Sequence, residues 1–208
     1  MNNQLIFVEG LWHTGKSFFV SEVNKRKIYD DKVTVIDNLR DLGTVRHGAY
    51  IIYPNLIRNT NQIYDRSPVT MKVIADQNLG LYQDKLISSA YWLEYYNDWL
   101  KMLQASDYKI SFIYFRPFEK SRNRLQKSIL NYVKAYNKTQ LLIDSNRVTK
   151  ESLLKIHEMF TTEINSLYQI LKPRFTFYQV EYQDTEEALD ILRYEKFMPS
   201  LGAYNDDN

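Results

Sequence analysis

Residues 10 to 17 read Gly-Leu-Trp-His-Thr-Gly-Lys-Ser, a complete G-x-x-x-x-G-K-S spacing. Such a loop works only between a strand and a helix. There the N–H groups of a glycine-rich turn and of the first helical turn converge on one anion. The flanks meet that demand: Gln4-Leu5-Ile6-Phe7-Val8 is a short run of strand formers before it, and Ser17 to Val23 can open a helix after it. In this geometry Gly10, Leu11, Trp12, His13, Thr14, Gly15, Lys16 and Ser17 wrap a polyphosphate. Lys16 reaches the β/γ-phosphates and Ser17 gives an oxygen to Mg²⁺. ATP and Mg²⁺ are therefore the expected ligands, with Lys16 an exposed cationic contact rather than a core residue.

Four more strand-like runs follow, at 32–37, 62–65, 110–115 and 175–180. Helical spacing runs from 83 to 105 through Leu86, Ala90, Leu93, Tyr96, Leu100 and Leu103. A second helix opens at Thr149, continues through Leu153, Ile156, Phe160, Ile164 and Leu167, and stops before Pro173. A third, 184–194, begins with Asp184 and has Glu187 three residues on, a capping pattern. Strands alternating with helices predict an α/β fold: a parallel five-stranded sheet with helices on both faces. The stretch 38–61, broken by Gly43, Gly48 and Pro54, is the least legible, and Tyr50-Ile51-Ile52-Tyr53 fits either a strand or a buried helix.

The 208 residues suit a single domain over 1–200, with 201–208 a polar tail expected to be flexible. Cysteine is absent, which removes disulfides and thiolate metal sites. No run of apolar residues approaches the length of a membrane span, and the first residues lead into a strand without a signal-peptide pattern. A cytoplasmic enzyme is expected. The net charge of +2 gives no dominant basic face, so a nucleic-acid partner is not expected.

The chain resembles the deoxynucleoside kinase and thymidylate kinase superfamily of P-loop nucleoside and nucleotide kinases. The likeness is carried by Phe7-Val8-Glu9-Gly10 running into Gly15-Lys16-Ser17, and by Asp65-Arg66-Ser67 followed by Thr70. Two further stretches carry it: Ala75 to Leu79 leading to the aromatic run Tyr91-Trp92-Leu93-Glu94-Tyr95-Tyr96, and the helix Ser152 to Glu158. The resemblance implies a P-loop kinase fold with a lid over about 117–148. It implies a small-molecule nucleoside or nucleotide substrate and leaves room for a homodimer.

Arg66, beside an acidic residue at a strand end, can meet phosphate oxygens in the crevice where open α/β sheets bind ligands. Asp65 can hold Mg²⁺ through water or fix Arg66; a purely structural Asp–Arg pair is the plainer alternative. Asp37 ends the second strand, where the resemblance implies the general base that takes the proton of the acceptor 5′-hydroxyl. This chain has Asp-Asn in place of the family's Glu-Pro, and a turn or cap aspartate is the competing reading. The resemblance places Arg122 and Arg124, near Lys127, on the lid as transition-state cations, against the alternative of a solvated helix face. Arg147 is a weaker second candidate. His157 is expected to pack rather than to ligate a metal.

The expected reaction is γ-phosphoryl transfer from ATP to a (deoxy)nucleoside, with a deoxynucleoside monophosphate as the alternative acceptor. A kinase acting on a polynucleotide or a modified base in DNA is a further alternative, which the near-neutral charge disfavours.

Overall fold

A computed structural model describes residues 4–11, 13–26, 33–36, 61–76, 89–116, 122–136 and 149–194. Trp12, Asp37, Arg147, most of 38–61 and the tail 201–208 lie outside the described residues, as do the flanks of the expected lid at 117–121 and 137–148.

The five expected strands form. They are β1 (Gln4–Gly10), β2 (Val33–Ile36), β3 (Asn61–Asp65), β4 (Lys109–Arg116) and β5 (Phe175–Glu181). They make one sheet in the order β2-β3-β1-β4-β5, every pair parallel. All seven residues of β1 are buried, as a central strand covered on both faces requires. The described helices are α1 (Lys16–Arg26), α2 (Pro68–Asp76), α3 (Ser89–Ala105), α4 (Arg122–Tyr136), α5 (Lys150–Leu171) and α6 (Thr185–Tyr194).

Alternation along β1 splits the core in two. Leu5 and Phe7 face α2, α3 and α5, where Phe7 meets the rings of Tyr64, Trp99 and Phe112 at 5.2, 5.6 and 5.1 Å. Ile6 and Val8 face the other way, onto Phe19, Val20 and Val23 of α1 and Ala188, Leu189 and Leu192 of α6. On the first face Lys72 of α2 pairs with Glu163 of α5 at 2.6 Å, and Tyr96 of α3 donates to the same carboxylate.

The helix ends follow from local chemistry. Thr149 caps α5 in a reciprocal box with Ser152. Asp184 accepts from the Glu187 N–H at 3.0 Å, as its spacing predicts, but the Glu187 carboxylate reaches back to the Glu181 N–H instead of to Asp184. Arg174 donates to the carbonyls of Leu103, Gln104, Ser106 and Tyr108, satisfying orphan acceptors at the end of α3. No helix among the described residues is long and apolar enough to cross a membrane.

Connections leave β1 toward β2 and leave β3 toward β4, on opposite sides of the β1–β3 pair. The carboxyl ends of β1 and β3 therefore flank a topological switch point, where open α/β sheets bind ligands. Parallel register brings Val8 beside Asp65, Glu9 beside Tyr114 and Gly10 beside Phe115 at that edge.

Candidate active site

The glycine-rich loop joins β1 to α1 as its spacing predicts. Gly10 and Gly15 both have left-handed backbone, with φ of +145° and +102°. A Cβ on Gly10 would lie 2.5 Å from the Phe115 carbonyl oxygen, so only glycine lets β1 pass into the loop beside β4. The loop is braced from the far side by the β5–α6 turn. The Gln183 N–H donates to the Thr14 carbonyl at 2.7 Å, and the Gln183 side chain reaches the His13 carbonyl at 3.4 Å. Burial and then the Lys16 charge hold the His13 imidazole below its ordinary pKa.

Lys16 corrects the expectation of an exposed contact: it is 3 % exposed. Its ammonium donates to the Leu11 carbonyl at 2.5 Å and the Thr14 hydroxyl at 3.2 Å. The loop closes around its own lysine and shields its charge. Burial, and then the Arg66 charge, push its pKa down to about 7, opposed by the Asp65 and Glu9 charges.

Across the switch point, Ser17 Oγ donates to Asp65 Oδ2 at 2.6 Å. Asp65 is 1 % exposed, and its Oδ1 is buried without a hydrogen-bond partner. A hydroxyl beside a carboxylate with an orphaned oxygen suits a hard cation that keeps most of its water and phosphate ligands. The donor set fits Mg²⁺. No group of three or more His, Cys, Asp or Glu among the described residues could form a protein-only metal cage.

Arg66 follows Asp65 with φ of +85°, left-handed for a residue with a Cβ, and its N–H donates to the Val8 carbonyl at 2.9 Å. Its charge acts on both Lys16 and Glu9. The structure thus brings together Lys16, Ser17, Asp65 and Arg66.

Arg122 and Arg124 lie on the first turn of α4. Leu125 and Ile129 of this helix are buried in the core, while Arg124 and Lys127 are exposed. The charges of Arg116 and Arg122 act on His157, which burial first and then these cations hold down to about 4. The neutral imidazole stacks on Tyr114 at 5.4 Å and 8°, with Nδ1 2.8 Å from its hydroxyl, which agrees with a packing role. Arg124 instead lines an open cleft of about 690 Å³ with Phe18 and the turn 181–186, the turn that braces the loop.

No family model matches the sequence, and no curated protein does. Among solved structures, the chain is similar to the YorR protein of Bacillus subtilis in complex with phosphorylated GDP. The TM-score is 0.50 at 13 % identity, covering 93 % of this chain and 98 % of that one. The fold is that of the P-loop kinases. Deoxyadenosine kinase of M. mycoides with bound dATP aligns at TM-score 0.48 and 17 % identity over 93 % of this chain and 99 % of that one. Polyphosphate kinase 2 of Arthrobacter aurescens TC1 aligns at 0.47 and 11 %, over 99 % and 73 %.

Residues that carried no role in the sequence reading also shape the site. Glu9 and Thr70 entered it only as motif letters. Gln183, 170 residues beyond the His13 carbonyl it touches, has no local signature.

Proposed function

We propose that this protein transfers the γ-phosphoryl group of ATP to the 5′-hydroxyl of a (deoxy)nucleoside. One observation carries the reading: a cation in the phosphate loop, a second cation and a hydroxyl–carboxylate pair share one crevice at the switch point. Phosphoryl transfer asks for little else: the donor held, its charge neutralised, and the acceptor aimed in line. Lys16 and Arg66 supply positive charge to the phosphate oxygens. Ser17 and Asp65 would hold Mg²⁺, which when bound would neutralise phosphate charge. In the transfer, the acceptor oxygen forms a bond to Pγ as the bond from Pγ to the β,γ-bridging oxygen breaks. ADP leaves with that electron pair, and the hydroxyl proton goes to Asp37. Arg122 and Arg124 complete the cationic surround from a lid over about 117–148.

Asp37→Asn tests the acceptor. A hydroxyl loses a proton on transfer, so loss of its base lowers kcat by about 10²–10⁴-fold. A monophosphate oxygen is already ionised and needs no such base. Initial rates with nucleosides and with monophosphates separate the two. An unchanged kcat of Asp37→Asn on a nucleoside would remove Asp37 as the base, and turnover of monophosphates alone would replace the nucleoside acceptor with a monophosphate.

A further inference from the structure

Glu9 is the last side chain before Gly10, fully buried on the sheet face covered by α2, α3 and α5. Burying a lone carboxylate is costly, and burial does push its pKa up. What offsets the cost is a set of donors drawn from the neighbouring motif. Glu9 Oε1 accepts from the Ser67 N–H at 2.7 Å and the Ser67 hydroxyl at 2.6 Å, and Oε2 accepts from the Thr70 hydroxyl at 2.5 Å. These donors surround the first turn of α2, where Ser67 Oγ also accepts from the Val69 N–H at 3.1 Å. The carboxylate thus sits at a helix N-terminus, where the dipole favours negative charge.

Arg66 lies immediately before this turn. Its own N–H is fixed to Val8 of β1 and the next N–H to Glu9 of β1, so two consecutive peptides are tied to the central strand. A left-handed φ on a residue with a Cβ is strained and persists only where its surroundings over-determine it. The two ties supply that constraint. A relaxed φ would swing the Cα–Cβ bond of Arg66 and carry the guanidinium away from the loop charges it now acts on.

We propose that Glu9 is a positioning residue: its carboxylate clamps Ser67 and Thr70, and so holds Arg66 in the conformation that directs its charge at the phosphate loop. The kinetic part rests on the kinase reading above; the clamp itself does not. In Glu9→Ala the clamp is gone, and a misplacement near 1 Å costs about 10²-fold in kcat, with the KM for ATP changing much less. Glu9→Gln restores most of that loss, because its carbonyl oxygen still accepts from Ser67 and its amide can donate to the Thr70 hydroxyl.

The deciding test is a double-mutant cycle with Arg66→Ala, together with hydrogen exchange at the Ser67 amide. The clamp predicts that Glu9→Ala adds nothing to the kcat loss of Arg66→Ala, and that Ser67 exchange speeds up in Glu9→Ala but not in Glu9→Gln. Independent, multiplying losses would overturn it, as would unchanged kcat in folded Glu9→Ala. If Glu9→Ala does not fold, Thr70→Val removes one donor and enters the same cycle with the same criteria. Should the wild type turn over no acceptor at all, the kinase reading fails separately. The clamp is then judged by Ser67 exchange alone, and exchange unaffected by Glu9→Ala or Thr70→Val overturns it.

Discussion

Lys16→Met should abolish most turnover while leaving the protein at least as stable as the wild type at neutral pH. Removing a preorganised charge that meets a transferring group costs about 10²–10³-fold in kcat. The stability half follows from burial. The Lys16 ammonium is 3 % exposed, and its pKa falls from 10.5 to about 7 on folding. Between about pH 7 and 10.5 the unfolded chain binds this proton and the folded chain does not, so wild-type stability rises with pH across that window. Below it, both states are protonated and the full cost of the buried charge is present. Methionine keeps the length and removes the charge, and the Leu11 carbonyl still accepts from the Thr14 hydroxyl at 2.7 Å. Melts at pH 6 and pH 9.5 should show the variant's advantage shrinking toward alkaline pH. Wild-type turnover in Lys16→Met would remove the loop from the catalytic account. A variant much less stable at pH 6 would mean that the ammonium anchors the loop.

Gly10→Ala should be among the most damaging single-methyl substitutions in this chain. Its φ of +145° is strained for any residue with a Cβ, at about 1–3 kcal/mol. The added methyl would also stand 2.5 Å from the Phe115 carbonyl oxygen and 2.9 Å from Thr14 Oγ1. Phe115 belongs to the central β1–β4 pairing and cannot retreat without breaking it, which adds about 1–3 kcal/mol of overpacking. For a domain of this size the sum lowers Tm by roughly 10 °C. A thermal melt within 2 °C of the wild type would show that β1 and β4 part more easily than their register implies.

The sheet was legible because each strand is a short apolar or aromatic run bounded by breakers, and helices separate the runs. The helix α5 was legible because Leu153, Ile156, Phe160, Ile164 and Leu167 keep a 3.6-residue period, and all five are buried. The helix α2 has no expectation behind it, and α4 answers only to the alternative of a solvated helix face for Arg122, Arg124 and Lys127. The short helix α2 begins with Pro68 at its first position and Ser67 before it, a start signal that overlaps the Asp-Arg-Ser motif. In α4 the charge of Arg122, Arg124 and Lys127 masks the apolar pair Leu125 and Ile129, one turn apart on the core side.

At the site, the loop could be read letter by letter because its chemistry is local. The burial of Lys16 could not: it depends on Leu11 and Thr14 folding over the ammonium and on Asp65 arriving from 49 residues away. The Glu9 clamp spans 58 and 61 residues, and the Gln183 brace 170. Such ties are set by parallel register at one sheet edge, which a linear pattern does not encode. Arg122 and Arg124 form one cationic cluster in the sequence, yet the Arg122 charge acts on His157 while Arg124 lines the Phe18 cleft. Two residues apart on a helix, side chains do not share a face.

The proposed reaction moves a phosphoryl group from ATP to a nucleoside. Phosphorus NMR of wild-type protein with ATP, Mg²⁺ and a panel of deoxynucleosides tests it most directly. A nucleoside 5′-monophosphate and ADP should appear in equal amounts, and neither should accumulate with Lys16→Met. ATP that stays intact with every nucleoside and monophosphate, or ADP released with only inorganic phosphate, would contradict it.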